Sequence, residues 1–275
     1  MQTIRNVCLA AALSVSALGF AADPVKVALD FEKQGHAVPE TLWGVFFEDI
    51  NYSGDGGVYP ELIANRGFDW QIEGWKTVRN VPHLDLGGWT EDYRGGAMAR
   101  VTRRYAKPVH EATPCHLRIE SFGAGTGCGV RNDGFGGIAV KEGAKYDLSF
   151  YARALDSYKG GIRVVLEDKD GNELCRYEVP NSELSISPSA DEPNKLILPD
   201  WKRYEAVFTA PKTVKDAHLS VLMDAPGIIE IEQVSLFPQD TFNGRKNGLR
   251  KDLIQMVKDL KPAVLRFPGG CITEG

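Results

Sequence analysis

Two adjacent carboxylates, Glu48 and Asp49, stand near the end of an apolar run at residues 42–50 that is rich in valine and phenylalanine. A run of this composition predicts a strand that is buried on both faces. Carboxylates at the end of such a strand can accept hydrogen bonds from a ligand or exchange protons with it. Because parallel barrels collect their reactive groups at the carboxyl ends of strands, Glu48 is the first candidate for a site.

The residues after Glu48 invite comparison with a calcium site. They match the offsets of an EF-hand loop at five positions: Asp49, Asn51, Ser53, Gly54 and Asp55. The twelfth position is Pro60 instead of a bidentate glutamate, and a strand precedes the loop instead of a helix. The histidines are scattered without the spacing of a zinc site. We therefore predict no metal and no cofactor.

A second segment with chemically interesting residues lies near the other end of the sequence. Apolar residues recur there at helical spacing, which predicts an amphipathic helix closed by Pro262: Leu249, Leu253, Met256, Val257 and Leu260. A short apolar strand at residues 263–267 follows and carries Arg266, and a Pro-Gly-Gly turn leads to Cys271. The sequence stops at Gly275 inside this unit, so we expect the fold to continue beyond it.

The elements that would position these residues form the start of a (β/α)8 TIM barrel. The strand at 42–50 leads through a glycine-rich loop at 51–57 into a short helix at 58–66, with Pro60 in its first turn. Together they make one β/α unit, and the strand at 263–267 is the next barrel strand. The predicted barrel is therefore incomplete in this chain and discontinuous in sequence.

The region between the two barrel segments, residues 68–238, has the pattern of an all-β domain. Short β-type runs alternate with turns, at residues 116–121, 137–140, 145–153, 161–168, 174–179, 201–209, 218–223 and 228–237. Their alternation predicts a sandwich of two sheets. The predicted organisation is a leader at 1–21, a strand at 25–31 and the first barrel unit within 22–67, the inserted sandwich at 68–238, and a helix and strand at 239–275.

Two motifs, in this order on either side of the β-rich region, carry a resemblance to a known family: GVFFEDINYSGDGGVYPEL and LKPAVLRFPGGCITEG. Together they resemble the amino-terminal half of glycoside hydrolase family 51 α-L-arabinofuranosidases that contain an inserted carbohydrate-binding-module-like sandwich. The runs YDLSFYARA, DWKRYEAVFTAP and IEIEQVSLFP resemble strands of such modules. The resemblance implies a multi-domain α/β plus all-β fold in which a jelly-roll sandwich interrupts the TIM barrel.

The resemblance implies an exported glycosidase that releases terminal α-L-arabinofuranosyl residues from plant polysaccharides such as arabinan and arabinoxylan. Retaining glycosidases use two carboxyl groups about 5–5.5 Å apart, one as acid and base and one as nucleophile. In the resembling family both glutamates lie on later barrel strands, so we expect both beyond Gly275 and expect residues 22–275 alone to be inactive. Two alternatives stay open: a non-catalytic carbohydrate-binding protein built on the β-sandwich, and another retaining hydrolase with a different sugar specificity.

The resemblance also assigns substrate-binding residues. Glu48 matches a glutamate that accepts hydrogen bonds from arabinofuranose hydroxyls, and Cys271 matches a position that contacts the same sugar. Arg266 matches an arginine close to the nucleophile, where its charge would keep that carboxylate ionised. The alternatives are a structural ion pair for Glu48 or Arg266, and a disulfide or a packed thiol for Cys271. Asp49, Asn51 and Asp55 are expected to shape the loop instead of contacting the substrate.

Aromatic residues of the sandwich have two expected roles. One group alternates along its strand as core residues do, which favours a structural role for the sandwich: Trp201, Tyr204 and Phe208. Another group precedes most of the strands and offers rings that could stack on a sugar: Trp75, Trp89 and Tyr93.

Charge and the first residues indicate the setting of the protein. The net charge of −5 argues against nucleic acid or an anionic membrane surface as partner. Residues 1–21 combine Arg5, an apolar stretch and small residues before a cleavage point after Ala21, which predicts an export signal and a secreted or periplasmic protein.

In an oxidising compartment, a local disulfide between Cys115 and Cys128 is plausible. The sequence predicts no oligomeric state.

Overall fold

The computed structural model describes residues 26–30, 32, 35–49, 52–70, 87–155, 158–186 and 199–269. The predicted leader, Cys271 and Trp75 lie outside these residues. The chain divides into two compact units, Met1–Leu42 and Trp43–Gly275. Within the described part of the chain, no helix is long and apolar enough to cross a membrane.

In the first unit, residues 26–30 are exposed and have no strand geometry, so the strand predicted at 25–31 is wrong over these positions. The described residues of this unit contain no strand. A single extended segment without a partner leaves its backbone hydrogen-bonding groups to water, and alternation of side chains does not stabilise it.

Two antiparallel sheets form a sandwich in the second unit. One has the strand order β10 (Lys202–Thr209), β7 (Lys145–Ala154), β12 (Gly227–Pro238), β4 (His116–Gly123) and β3 (Met98–Arg104). The other has the order β2 (Trp89–Arg94), β5 (Gly127–Asn132), β11 (Val214–Met223), β8 (Ile162–Glu167) and β9 (Glu173–Val179), with β6 (Ile138–Val140) also paired to β11. The predicted two-sheet sandwich is confirmed.

The core lies between the two sheets and follows the two-residue period of the strands. On β7, Leu148, Phe150 and Ala152 are buried, whereas Ser149 and Tyr151 between them are partly exposed. All eight predicted β-type runs coincide with strands. The side chains on the outer faces of the sheets are the ones available for a site.

Three strands, β2, β3 and β5, were not predicted. β2 and β3 are rich in charged residues, and β5 has the glycine-rich sequence GCGVRN. The pairing of β5 with β11 explains why residue 129 is a glycine. A Cβ atom at this position would lie 1.9 Å from the carbonyl oxygen of Val221 on β11. A glycine that permits close approach of two backbones can interrupt the pattern of a strand without interrupting the strand.

The helix predicted at residues 58–66 is wrong. This segment is irregular and packs against the sandwich, where Ile63 and Phe68 join the core. The buried carboxylate of Glu61 accepts hydrogen bonds from the backbone N–H groups of Ile63 and Leu236, both at 3.0 Å. Because these backbone groups bond to a side chain and to β12, the helical pattern of internal hydrogen bonds does not form.

The two ends of the sandwich region meet at this segment. The backbone N–H of Arg250 donates to the carbonyl of Val58 at 2.8 Å, and the N–H of Leu62 donates to the carbonyl of Leu236 at 3.1 Å. The chain therefore enters and leaves the sandwich at neighbouring positions.

A small α/β element flanks the sandwich. Strand β1 (Val45–Phe46) pairs in parallel with β13 (Leu265–Arg266), and helix α1 (Lys251–Asp259) precedes β13. Parallel neighbours need a crossover connection, and α1 lies in this one. The predicted adjacency of the two segments is therefore observed, although β1 is much shorter than the run at 42–50. Within the residues that the structure describes, no other strand joins this two-stranded parallel sheet, so a TIM barrel is not visible in it.

Candidate functional site

Glu48 lies two residues after β1, beside the end of β13. The N–H of Phe47 donates to the carbonyl of Arg266 at 2.9 Å, which fixes the register of the two strands. The Glu48 side chain then lies against the backbone of Gly269, where an added Cβ atom would be 2.9 Å from Cγ and 3.3 Å from Cδ of Glu48. The parallel pair thus brings parts of the two distant sequence motifs together at one edge.

Arg266 is at the same edge, but it does not pair with Glu48. Its guanidinium carbon lies 4.8 Å from the centroid of the Phe46 ring, a cation–π contact. The salt bridges of the described residues include neither Arg266 nor Glu48. The structural ion pair considered as the alternative for both residues is therefore not formed within this part of the chain. Cys271 is outside it, and its role stays a prediction.

The loop after Glu48 is held by its own side chains. The N–H of Gly54 donates to Oδ1 of Asp49 at 2.8 Å, and the Ser53 hydroxyl donates to the carbonyl of Glu48 at 2.7 Å. Asp49 thus shapes the loop, as expected from the sequence. Across the described residues, no group of three or more His, Cys, Asp or Glu side chains is placed to hold a metal ion.

Trp89, one of the predicted stacking residues, is instead a core residue. Its side chain is buried, its Nε1–H donates to the carbonyl of Asn65 at 3.1 Å, and its ring lies 5.1 Å from that of Phe68. Residues 63–68, of which residues 63–66 were predicted as the end of a helix, cover it. Tyr93 remains on the surface. The prediction for Trp89 is therefore wrong because its partner segment folds over it.

The aromatic residues that were predicted to lie in the core are Trp201, Tyr204 and Phe208, and two of these three do so. Tyr204 and Phe208 are buried between the sheets. Trp201 is partly exposed on the outer side of the sheet, where the guanidinium carbon of Arg153 lies 4.1 Å from its ring centroid and the His116 ring lies at 5.2 Å. The Trp201 ring therefore packs on other side chains.

A polar cleft of about 550 Å³ crosses the outer face of the five-stranded sheet. Its floor is formed by side chains of β7, β10 and β12: Asp147, Ser149, Tyr151, Arg203, Glu205, Ser235 and Phe237. The segment that leads to α1 lies across it, because Gln239 donates to Asp147 at 2.6 Å and Lys246 lies 3.8 Å from Glu205. The cleft is large enough for a small ligand.

Next to this cleft the same sheet face buries an ionic cluster. Glu230 of β12 is fully buried and accepts hydrogen bonds from Arg153 Nε at 2.6 Å and from Arg118 Nε at 2.8 Å. Burial alone would raise the pKa of Glu230, but the neighbouring His116 and the two arginines outweigh it and lower this pKa to about 2. The Glu230 carboxyl group is therefore ionised at neutral pH.

Glu232, the next outward residue on β12, has the opposite electrostatic setting. It is fully buried and accepts hydrogen bonds from the N–H of Val109 at 2.8 Å and the hydroxyl of Thr113 at 3.2 Å. Burial raises its pKa to about 7, helped by the nearby Asp69 carboxyl, while the hydrogen bonds and Arg153 lower it only in part. The loop that forms one wall of the cleft is tied to this carboxyl group.

We expect the Glu232→Gln variant to be more stable than the wild type at pH 8, by about 2 kcal/mol, and to lose this advantage near pH 4.5. An acid with a raised folded-state pKa destabilises the native state only above its unfolded value of 4.5, and the penalty is complete above about 7. Urea unfolding of both proteins at several pH values measures this difference in stability. Because the two proteins share every other ionisable group, the difference between them isolates Glu232. An unchanged difference between pH 5 and 8 would contradict the assignment.

The cysteines of the sandwich are free. Cys115 and Cys128 are buried, Cys175 is partly exposed, and none forms a disulfide. The local disulfide considered for Cys115 and Cys128 is therefore wrong. Burial raises the pKa of both thiols, which makes them unreactive packing residues.

The fold defines the larger part of the chain as a β-sandwich of two antiparallel sheets. Residues 60–227 match the family described as "Carbohydrate binding domain". This match covers more than half of the sequence, and the chain belongs to that family.

Similarity to characterised proteins extends beyond the sandwich. The chain is 33% identical to the extracellular exo-α-L-arabinofuranosidase of Streptomyces chartreusis, over 90% of this chain and 26% of that protein. It is 33% identical to α-L-arabinofuranosidase 1 of Arabidopsis thaliana, over 88% of this chain and 33% of that protein. The solved structure of arabinose-bound MgGH51 α-L-arabinofuranosidase matches 87% of this chain and 36% of its own length, at 28% identity and a TM-score of 0.66. The resemblance predicted from the sequence is therefore confirmed.

The chain spans about a quarter to a third of the length of these relatives. Their activity belongs to proteins that are much longer than the part described here. The contribution of the present residues to such an activity is therefore proposed below.

Proposed function

We propose that this chain is part of an exported retaining glycosidase that releases terminal α-L-arabinofuranosyl residues from polysaccharides such as arabinan and arabinoxylan. The observation that carries the proposal is the parallel pairing of β1 with β13, which sets Glu48 against Gly269. The similarity to α-L-arabinofuranosidases over most of the chain supports it. In this proposal the small α/β element is the start of a TIM barrel and the sandwich is its insert.

The exposed apolar side chains of the α/β element favour the proposal that it is part of a barrel. Phe267 is 67% exposed and Met256 of α1 is 65% exposed, and no residue of α1 is buried. Apolar strand and helix faces of this kind are normally covered by neighbouring units of a barrel. In the proposed protein, the remaining β/α units pack on these faces and close the barrel.

In the proposed reaction, this chain supplies substrate-binding residues and later barrel strands supply the catalytic carboxyl groups. Hydrolysis of a furanoside passes through an oxocarbenium-like state and needs an acid/base carboxyl group and a nucleophilic carboxylate. We place both beyond Gly275. Glu48 accepts hydrogen bonds from hydroxyl groups of the arabinofuranose, Cys271 contacts the same ring, and Arg266 supplies a positive charge that keeps the nucleophile ionised.

The test is hydrolysis of a panel of 4-nitrophenyl glycosides by the full-length protein that contains this chain. The expected result is selective release of nitrophenol from the α-L-arabinofuranoside. Residues 22–275 alone are expected to release none, because they carry no catalytic pair in this proposal. Cleavage of another glycoside in preference would favour a different hydrolase specificity, and activity of the fragment would contradict the assignment of the catalytic residues.

The second candidate is a carbohydrate-binding function without catalysis, which the cleft on the five-stranded sheet favours. Its floor combines a tyrosine ring, Tyr151, with hydrogen-bonding side chains such as Asp147 and Arg203. Binding without hydrolysis by the full-length protein, abolished by Tyr151→Ala, would select this candidate over the glycosidase.

A further inference from the structure

Three aromatic rings from distant parts of the sequence meet near the loop that follows Glu48. The Tyr52 and Trp70 rings are nearly parallel, with centroids 6.2 Å apart and an angle of 10° between their planes. Phe135 meets Tyr52 edge-on at 5.1 Å and lies 6.4 Å from Trp70. We call these three residues the aromatic platform.

The platform is held in place by its surroundings. The carbonyl of Trp70 accepts a hydrogen bond from Arg103 at 2.8 Å, and its N–H donates to Asn65 Oδ1 at 3.0 Å. Phe135 lies over Gly56, where an added Cβ atom would be 2.5 Å from the ring. The Trp70 backbone and the Phe135 ring are therefore held by groups outside the platform, as a preformed binding surface requires.

Tyr52 is the exposed member of the platform. Its side chain is 57% exposed, although tyrosine rings usually cover more of their apolar surface when neighbours are present. Its backbone φ of 62° is in the left-handed region, which costs a residue with a side chain free energy. A strained conformation that keeps a ring at the surface is typical of a functional position.

The platform is connected to the proposed sugar site through the loop itself. Tyr52 is followed by Ser53 and Gly54, which donate to the carbonyl of Glu48 and the carboxylate of Asp49 at 2.7 and 2.8 Å. Tyr52 is four positions after Glu48 in the sequence, and the two residues that follow it are bonded back to Glu48 and Asp49. Trp70 and Phe135 belong to the part of the chain that matches the carbohydrate-binding family.

We propose that the aromatic platform of Tyr52, Trp70 and Phe135 is a stacking subsite for the backbone of a neutral polysaccharide whose arabinofuranosyl branch is held at Glu48. This deepens the proposed function and rests on it. The flat faces of β-linked pyranose rings suit such a surface, because aromatic rings pack on the apolar C–H faces of sugars. Asp49 and Asp55 on the Tyr52 loop disfavour an anionic uronate backbone.

The test is a calorimetric titration of the 275-residue chain with a β-1,4-linked xylo-oligosaccharide, with an oligogalacturonate as the anionic comparison. The wild type is expected to bind the neutral ligand and not the anionic one. Tyr52→Ala and Tyr52→Leu should each weaken binding about tenfold, and Tyr52→Phe should restore it. The leucine variant keeps an apolar side chain for packing, so it separates stacking from folding.

Tyr105→Ala is the matched control, because Tyr105 is 54% exposed and makes no ring contact within the described residues. It should bind as the wild type does. No binding by the wild type, undiminished binding by Tyr52→Leu, or loss of binding only with Tyr151→Ala in the cleft would each overturn the proposal. The readout does not depend on hydrolysis, so an inactive full-length protein would refute the proposed function without deciding this one.

Discussion

The Glu230→Gln variant is expected to lose about 3–5 kcal/mol of unfolding free energy at pH 7, the range typical of removing one partner from a buried ion pair. Glu230 is the single carboxylate between Arg153 and Arg118, and Arg153 is itself 2% exposed. A neutral amide leaves the buried guanidinium of Arg153 and the mostly buried guanidinium of Arg118 without this carboxylate partner. Chemical denaturation with urea measures the change.

The effect should depend on pH in a defined direction. The pKa of Glu230 is lowered from 4.5 to about 2, so its stabilisation is complete above pH 4.5 and is lost as the pH falls towards 2. The wild type and the variant should therefore approach each other in stability under acid conditions.

Glu120→Gln is the control, because Glu120 pairs with Arg100 on the same sheet face and Arg100 is 61% exposed. Surface pairs of this kind contribute about 0–1 kcal/mol. Equal destabilisation by the two substitutions would show that the buried cluster is not the source of the effect.

The second large effect is expected at Glu48. In the full-length protein, Glu48→Gln should lower kcat/KM for 4-nitrophenyl α-L-arabinofuranoside by about 10- to 100-fold, because hydrogen bonds to a charged acceptor contribute about 1.5–3 kcal/mol. The amide has the same shape and lies against Gly269 in the same way. The substitution therefore changes the charge and one acceptor without opening space.

Asp49→Asn is the matched comparison, one residue along the chain. Asp49 receives the N–H of Gly54, and an asparagine oxygen can accept the same bond. Its activity should stay within about threefold of the wild type. Full activity of Glu48→Gln, or an equal loss in both variants, would remove Glu48 from the substrate site.

The sandwich was predictable because its strands carry their own signal. The alternation of Leu148, Phe150 and Ala152 specifies one buried face, and two-residue periodicity is a local property of the sequence. The helix predicted at residues 58–66 failed for a non-local reason. Glu61 and the neighbouring backbone bond to β12, which is far away in sequence, and this overrides helical spacing.

The candidate site was predictable in part. Glu48 was singled out by its place near the end of an apolar run, and the parallel pairing of β1 with β13 lies beside it; its role in binding stays a prediction. The Glu230 cluster was missed, although outward charges on strands β4, β7 and β12 are visible in the sequence as Arg118, Arg153 and Glu230. Their meeting depends on the register of three strands, which no single segment specifies.

The hydrogen bonds from Arg250 to Val58 and from Leu62 to Leu236 have a topological consequence. The chain enters and leaves the sandwich at the same place. The two ends of the sandwich region are therefore as close together as the ends of a tight turn. Domains with adjoining termini can be accommodated inside another fold without stretching it. In the proposed enzyme, the sandwich would therefore not push β1 and β13 apart.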